Sequence, residues 1–386
     1  MDFTFNEEQH AVQQAVEGIF SGLVTPDRVQ EVEATPNRFD RELWAALAGA
    51  DLLGLSVPEA YGGGGYGLVE LAILLEGQGR VVAPVPLWAT VALGAMPLAQ
   101  FGSEALKSTL LPAVVSGDLV LTAALAGVAD DIARGGTGRP AVIGKSGADG
   151  LVLAGTAFAV PYGHVADRVL VPVSLDDGVV IAVVDPSAPG VTVERATTTN
   201  REIHPHLHLD GVTAGPDDLL AGGDPARGHD VLSWILSRAW TGLCALQVGV
   251  TEAAVSQTAD YLNTREQFGR PLSTFQGTML RAADAAIDTE SIRVTMWQAA
   301  WRLDHGLDAD LAVSVASWFA SEAGQRAVHA TQHLHGGVGA DVEYPIHRYF
   351  LWGKQIELLL GPPSAQLARL GRQLIGEIRA GRQVTI

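Results

Sequence analysis

Apolar positions recur with a helical period from residue 4 to about residue 118. In FNEEQHAVQQAVEGIF, Phe5, Val12, Val16 and Phe20 make one stripe, and the acids of the first turn complement a helix dipole. RELWAALAGADLLG predicts a second helix that stops before GLSVPEAYGGGG, and GLVELAILLEGQGR predicts a third that ends at Gly79. ALGAMPLAQFG and SEALKSTLLPAVVSG predict short helices closed by glycine. The period then changes. LTAAL, RPAVIG, GLVLAGTAFAV, DRVLVPVSL, VVIAVVD and VTVERATTT are short, β-branched runs separated by turn residues, which predicts strands closing into a β-barrel or stacking as a sandwich. From about residue 228 the helical period returns. DVLSWILSRAWTGLCALQVGVTEAAVSQTADYL contains no proline and predicts a helix about 48 Å long. Two further long helices follow, and a last one over 346–380 is interrupted at GPPS. Four amphipathic helices of this kind make a bundle. The expected order is an all-α domain at 1–118, a β-barrel domain at 119–227 and a helical bundle at 228–386.

Composition narrows the function classes. The 386 residues suffice for two or three domains with their own cores. The 25 basic side chains against 43 acidic ones leave a net charge of −18, which repels nucleic acid and anionic membranes. Nucleic acid and membrane are therefore not expected partners. The single cysteine, Cys244, excludes an internal disulfide framework and a multi-cysteine metal site. The start is acidic and polar, unlike a secretory signal, and no transmembrane span is expected, so the expected location is cytoplasmic.

Local chemistry is suggestive at few places. Arg265 and Gly269 lie in YLNTREQFGRPLSTFQ, a polar link between two long helices. An arginine fork beside a helix N-terminus suits a diphosphate; an ordinary capping arginine fits the same residues. HLHGGVGADVEYPIHRYF passes from a helix end through Gly336, Gly337 and Gly339, where backbone can approach a ligand closely or merely end the helix. His204, His206 and His208 alternate, with Glu202 and Asp210 in phase, but Pro205 interrupts the run and a solvated sheet face is the commoner setting; no metal is expected. Cys244 sits among apolar neighbours, where a thiol is inert. Trp234, Trp240, Trp297, Trp301, Trp318 and Trp352 suit core or interface positions, with one or two available to line an acyl pocket.

The domain order, together with FNEEQ, VPEAYGGGGYGLVELAILLEGQGR, YLNTREQFGRPLSTFQ and HGGVGADVEYPIHRYF, resembles the acyl-CoA dehydrogenase family over nearly the whole chain. The resemblance implies a helical N-terminal domain, a middle β-barrel, a C-terminal four-helix bundle, and FAD bound across subunits. It also implies a reaction in which a carboxylate removes the α-proton of an acyl-CoA while the β-hydride passes to the flavin. The product is a 2-enoyl-CoA, and an electron-transfer flavoprotein takes the electrons. Arg265, Phe268, Gln276, Gly336 and Gly337 match the family residues that serve the flavin held mainly by the neighbouring subunit, and His333 stands at the family's glutamine. The base does not match. Its usual seat corresponds to Leu360, and the alternative seat on the long helix corresponds to Ala239. The Trp-x-Thr segment beside the flavin ring corresponds to Ala159-Val160-Pro161. This split pattern resembles the base-deficient subunit of actinobacterial α2β2 acyl-CoA dehydrogenases of steroid (cholesterol) side-chain degradation, in which a second, unlike subunit supplies the carboxylate. Two other readings stay open. One is an autonomous homotetramer with a relocated base, for which Glu357 is the nearest candidate; the other is a non-enzymatic acyl-CoA-binding or scaffold protein.

Overall fold

The structure is a computed structural model that describes residues 4–359 and 361–381. Helix α1 (Glu7–Leu23) begins at a capping box: the Asn6 side chain accepts from Gln9 N–H at 2.8 Å, and the Gln9 side chain accepts from Asn6 N–H at 3.1 Å. Its stripe of Val12, Val16 and Phe20 is buried as the period predicts. Helices α2 (Pro26–Glu33), α3 (Arg41–Gly49) and α4 (Leu68–Val81) follow. The next expected helix differs in kind. Trp88–Ala95 is a π-helix with every residue buried, and only then does α5 (Met96–Phe101) resume α geometry before α6 (Glu104–Val115). An all-apolar run has no polar face to reveal one extra residue per turn, so periodicity is blind to it.

The middle segment holds β1 (Leu121–Ala123), α7 (Ala126–Arg134), β2 (Val142–Ser146), β3 (Leu151–Ala157), β4 (Arg168–Ser174), β5 (Val179–Val184), β6 (Val191–Glu194) and β7 (His206–Ala214). The expected β-barrel is not formed. The strands make one open sheet in the order β1-β4-β2-β3-β7-β6, with β5 on β4. Among the described strands, β6 pairs only with β7, and none joins it to β1 or β5. Alternation along a strand says which residues share a face, but closure depends on tilt and on long end strands. Here β6 has four residues, mostly exposed, while β5 is buried at every position and packs on the long C-terminal helix instead. Helices cover the sheet where a barrel would cover itself.

The C-terminal part contains α8 (Gly228–Thr264), a hairpin of β8 (Glu266–Gln267) and β9 (Arg270–Pro271), α9 (Gln276–Asp304), α10 (Asp310–Leu334), α11 (Ile346–Leu358) and α12 (Pro363–Arg379). Helix α8 runs through the middle and packs on α4, α9, α10 and α11. By length and composition alone it is apolar enough to cross a membrane, a feature it shares with core helices. Of its apolar window, 83% is buried inside the protein. Its hydrophobicity is used by the core.

One long-range contact fixes the two helical parts together. Asp304, at the end of α9, accepts the N–H groups of Leu68 and Val69 at 2.8 Å each and so caps α4, whose own N-cap residue is Gly67. Asp304→Ala strands two helix N–H donors and should cost about 1–3 kcal/mol of stability, read from urea denaturation midpoints. A loss below a few tenths would show that water replaces the carboxylate.

Candidate functional site

Two of the sequence motifs meet at one end of the bundle. Tyr261, in the last turn of α8, stacks on His335 at the end of α10 with ring centroids 4.5 Å apart, and Tyr344 lies 5.4 Å from His335. His335 is buried, and its Nδ1 pairs with Thr331 O at 2.9 Å. These rings tie the chain just before Arg265 to the chain just before Gly336, although Tyr261 and His335 are 74 residues apart.

The Arg265 segment is an exposed arm. Arg265 ends α8, its N–H donating to Tyr261 O at 2.8 Å, and its side chain is left free of carboxylates among the described residues. Phe268 and Gly269 form the two-residue tip of the β8–β9 hairpin, with φ of +55° and +79°. A hairpin of this length takes positive φ at its tip, and placing phenylalanine there costs strain that glycine would avoid. Phe268 is nevertheless 91% exposed, with only the edge of Phe275 at 6.1 Å for company. Helix α9 then starts at Gln276, with no side-chain cap and no acid in its first turn. The N–H groups of Gln276 and Gly277 and the helix dipole are open to an anion, while those of Thr278 and Met279 bond Phe275 O.

Gly336 has φ +63°, which favours glycine. Gly337 does not. A Cβ on either would meet nothing within 4 Å, so no packing inside this chain explains the missing side chain at Gly337. His333 is exposed beside this loop, and half-buried Gln332 has an unpaired Oε1. The arm, the α9 N-terminus and the glycine loop thus present cationic, aromatic and backbone donors outward. These residues fit half of a diphosphate-containing cofactor such as FAD.

The interior seats are different. Ala239 lies in α8 with no exposed surface, and its carbonyl accepts the Trp88 indole N–H at 3.0 Å. Leu360 lies outside the described residues. The space beside Pro161 and Leu359 is a cavity of about 30 Å³, bordered by Trp88, Tyr162, Leu243 and Trp352. That is room for about two waters. The loop itself has no donor to spare. Ala159 N–H donates to His206 Nδ1 at 3.0 Å, Val160 N–H to Pro205 O at 2.9 Å and Tyr162 N–H to Ile203 O at 3.2 Å, while Pro161 has none. Ala159 and Tyr162 hold left-handed φ of +47° and +53° to make these bonds. As it stands, this cavity has no room for a flavin ring.

Glu357 is mostly buried on α11, ion-paired with Lys354, and is not among the residues that line that cavity. The carboxylate that does line it is Glu202, which the sequence suggested only as part of an alternating acid–histidine run. It accepts the Tyr162 hydroxyl at 2.9 Å and pairs with His204 Nε2 at 3.1 Å. Burial pushes its proton affinity up, but His204, Asn200 and Tyr162 together outweigh that and hold the carboxyl below its usual range. Burial and the Glu202 charge push the Tyr162 phenol well up. Glu202 is a structural anion, poorly disposed to accept a proton.

The remaining candidates separate. His206 and His208 lie in β7, but His206 serves Ala159 while His208 pairs with Thr156 and Glu194. No three acids, histidines or cysteines converge to hold a metal among the described residues. Burial pushes the Cys244 thiol up to about 12, which keeps it inert. Periodicity gave no hint of a cavity of about 910 Å³ between α1, α4 and α9, bordered by Phe5, Tyr66, Trp297 and Trp301. Its arginines are already engaged: Arg80 pairs with Glu76 and Glu252 at 2.6 Å each, and Arg293 pairs with Glu76.

A helical layer, an open sheet and a helical bundle, with the Arg265 arm and the Gly336–Gly337 loop exposed at one end, define the class of protein. Residues 6–118 match the acyl-CoA dehydrogenase N-terminal domain and residues 226–375 the C-terminal domain. Acyl-CoA dehydrogenase FadE27 of Mycobacterium tuberculosis is 38% identical, covering 97% of this chain and 99% of that protein. FadE28 of the same organism is 34% identical over 96% and 98%. Among solved structures, a variant of the Tcur3481-Tcur3483 steroid ACAD is 44% identical with a TM-score of 0.88, covering 97% of this chain and 99% of that one. A chain of the ChsE4-ChsE5 complex from Mycobacterium tuberculosis is 39% identical with a TM-score of 0.89 over the same shares. The chain belongs to the acyl-CoA dehydrogenase family.

Proposed function

We propose that this chain is the base-deficient subunit of a flavin-dependent acyl-CoA dehydrogenase built from two unlike subunits. The observation that carries this is the contrast between an open, outward-facing cofactor half-site and an interior pocket with no space for a flavin ring. Arg265, the α9 N-terminus at Gln276 and the Gly336–Gly337 loop, flanked by Phe268 and His333, would hold the diphosphate side of an FAD whose ring lies in the partner. FAD supplies the hydride acceptor when bound. The partner subunit supplies the carboxylate that takes the α-proton, and donors to the thioester oxygen stabilise the charge that develops there. The product is a 2-enoyl-CoA.

Helix α9 offers a surface for the partner. Leu280, Ile287 and Val294 recur every seventh residue, and each is more than half exposed. That spacing is the seam of helix pairing. A sterol-derived side-chain CoA thioester is the substrate class suggested by the relatives named for steroid ACAD activity, and an electron-transfer flavoprotein is the expected acceptor.

The test is co-expression with a second acyl-CoA dehydrogenase-like chain, reading native mass, flavin content and enoyl-CoA formed from short-chain and steroid-chain thioesters. Flavin and turnover should appear only with both chains, in an α2β2 mass. Stoichiometric FAD and full turnover by this chain alone would overturn the proposal.

A further inference from the structure

His335 is the last residue before the glycine loop, and Tyr261 is the residue from which Arg265 hangs. The Tyr261 carbonyl takes the Arg265 N–H at 2.8 Å. Its ring stacks on His335 with 25° between the planes, and its hydroxyl donates to His335 O at 3.4 Å. Tyr344, just before α11, completes the ring cluster, 5.4 Å from His335 and 6.5 Å from Tyr261. The loop then folds back over the same histidine: a Cβ at Gly339 would stand 2.6 Å from Gln332 O and 3.2 Å from His335 Cβ.

Histidine brings more than a flat ring. Its Nδ1 lies 2.9 Å from Thr331 O, one turn back in α10; a carbonyl only accepts, so Nδ1 carries the proton and the ring plane is fixed. Nε2 is then a bare lone pair, buried without a partner. The titratable side chains that face the imidazole are Tyr261 from α8 and Tyr344 from the segment before α11. Burial, rather than any charged neighbour, holds it below the usual histidine range. A proton on Nε2 would be a buried cation with no acceptor.

We infer that His335 is a positioning residue for the cofactor half-site: its neutral imidazole clamps the end of α8 to the end of α10 and so sets the distance between Arg265 and the Gly336–Gly337 loop. The inference rests on the half-site reading above and extends it to a residue that touches no cofactor itself. A free arm and a free loop would have to be ordered by the cofactor; clamped together, they meet it preorganised.

The test is a mutant cycle in the co-expressed complex, read by FAD titration. At about pH 8, His335→Ala should weaken FAD binding about 3- to 10-fold, the weight of one aromatic stack. In an Arg265→Ala background the same change should cost less than about twofold, because the arm it holds no longer contributes. His335→Phe keeps the stack and has no proton to gain, so it should match wild type at about pH 8 and hold FAD better than wild type as the pH falls toward about 5. His333, exposed beside the loop, gains charge in acid and acts in the opposite direction in both proteins, so it cancels in that comparison. Full affinity in His335→Ala, equal losses in the two backgrounds, or identical acid profiles of His335→Phe and wild type each overturn the clamp. If His335→Ala does not fold, His335→Leu takes its place; failure of both makes His335 a core residue and overturns the clamp as well. Stoichiometric FAD in this chain without a partner refutes the two-subunit reading instead, and the coupling of His335 to Arg265 is then read in that protein.

Discussion

Arg265→Ala in the co-expressed complex should weaken FAD binding by roughly 10- to 100-fold, measured as flavin retained through gel filtration and by fluorescence titration. A guanidinium on a diphosphate makes charge-assisted, paired hydrogen bonds of about 1.5–3 kcal/mol, and each 1.4 kcal/mol is tenfold in affinity. Arg265→Lys keeps a charge but not the fork, so it should recover only part of the loss. Folding is a clean control. The Arg265 side chain is exposed, and its backbone N–H and C=O bonds to Tyr261 and Leu272 survive any substitution that keeps the backbone. The thermal midpoint should therefore not move. Unchanged flavin affinity in Arg265→Ala would remove the arm from the cofactor site.

The largest expected stability effect lies far from that site. Gly249→Ala should cost at least about 3 kcal/mol and lower soluble yield, because its new Cβ would stand 2.0 Å from Glu76 O and 2.7 Å from Arg80 N. The obstacle is backbone, which cannot rotate away as a side chain would. Gly79 faces the reverse problem, its Cβ meeting Leu246 O at 2.2 Å, so α4 and α8 touch through glycines on both helices. One methyl must part the two helices that join the N-terminal and C-terminal cores. Gly18→Ala in α1 is the opposite case: nothing lies within 4 Å, and helix propensity should make it neutral or up to about 1 kcal/mol stabilising. A Gly249→Ala protein with wild-type urea stability would disprove the close contact.

Much of the architecture was legible because helical stripes and strand alternation report directly on which side of an element is buried. Val12, Val16 and Phe20 could be assigned to the core from spacing alone, and they are buried. The exposed motifs were legible for another reason. Arg265, Phe268 and Gly337 are picked out by their match to family motifs, and only the structure shows that the chain's own packing does not demand them.

Closure of the sheet was not legible. β6 and β5 both read as strands, but whether they meet depends on the helices packed against β5. Nor could the role of Glu202 be read. Its burial is decided by Tyr162 and His204, brought to it by left-handed turns at Ala159 and Tyr162 that no local propensity favours.

Residue identity settled one matter by itself: neither Ala239 nor Leu360 can carry a proton, because no fold can give an alkyl side chain a basic atom. Tertiary structure decided the other half. A tryptophan at position 88 is unremarkable in an apolar run, and only the π-helix and the facing Ala239–Gly242 notch seat its indole against α8 with its N–H on the Ala239 carbonyl. An absent functional group is a property of the chain, whereas the seating of an indole in a notch is a property of packing between segments distant in sequence.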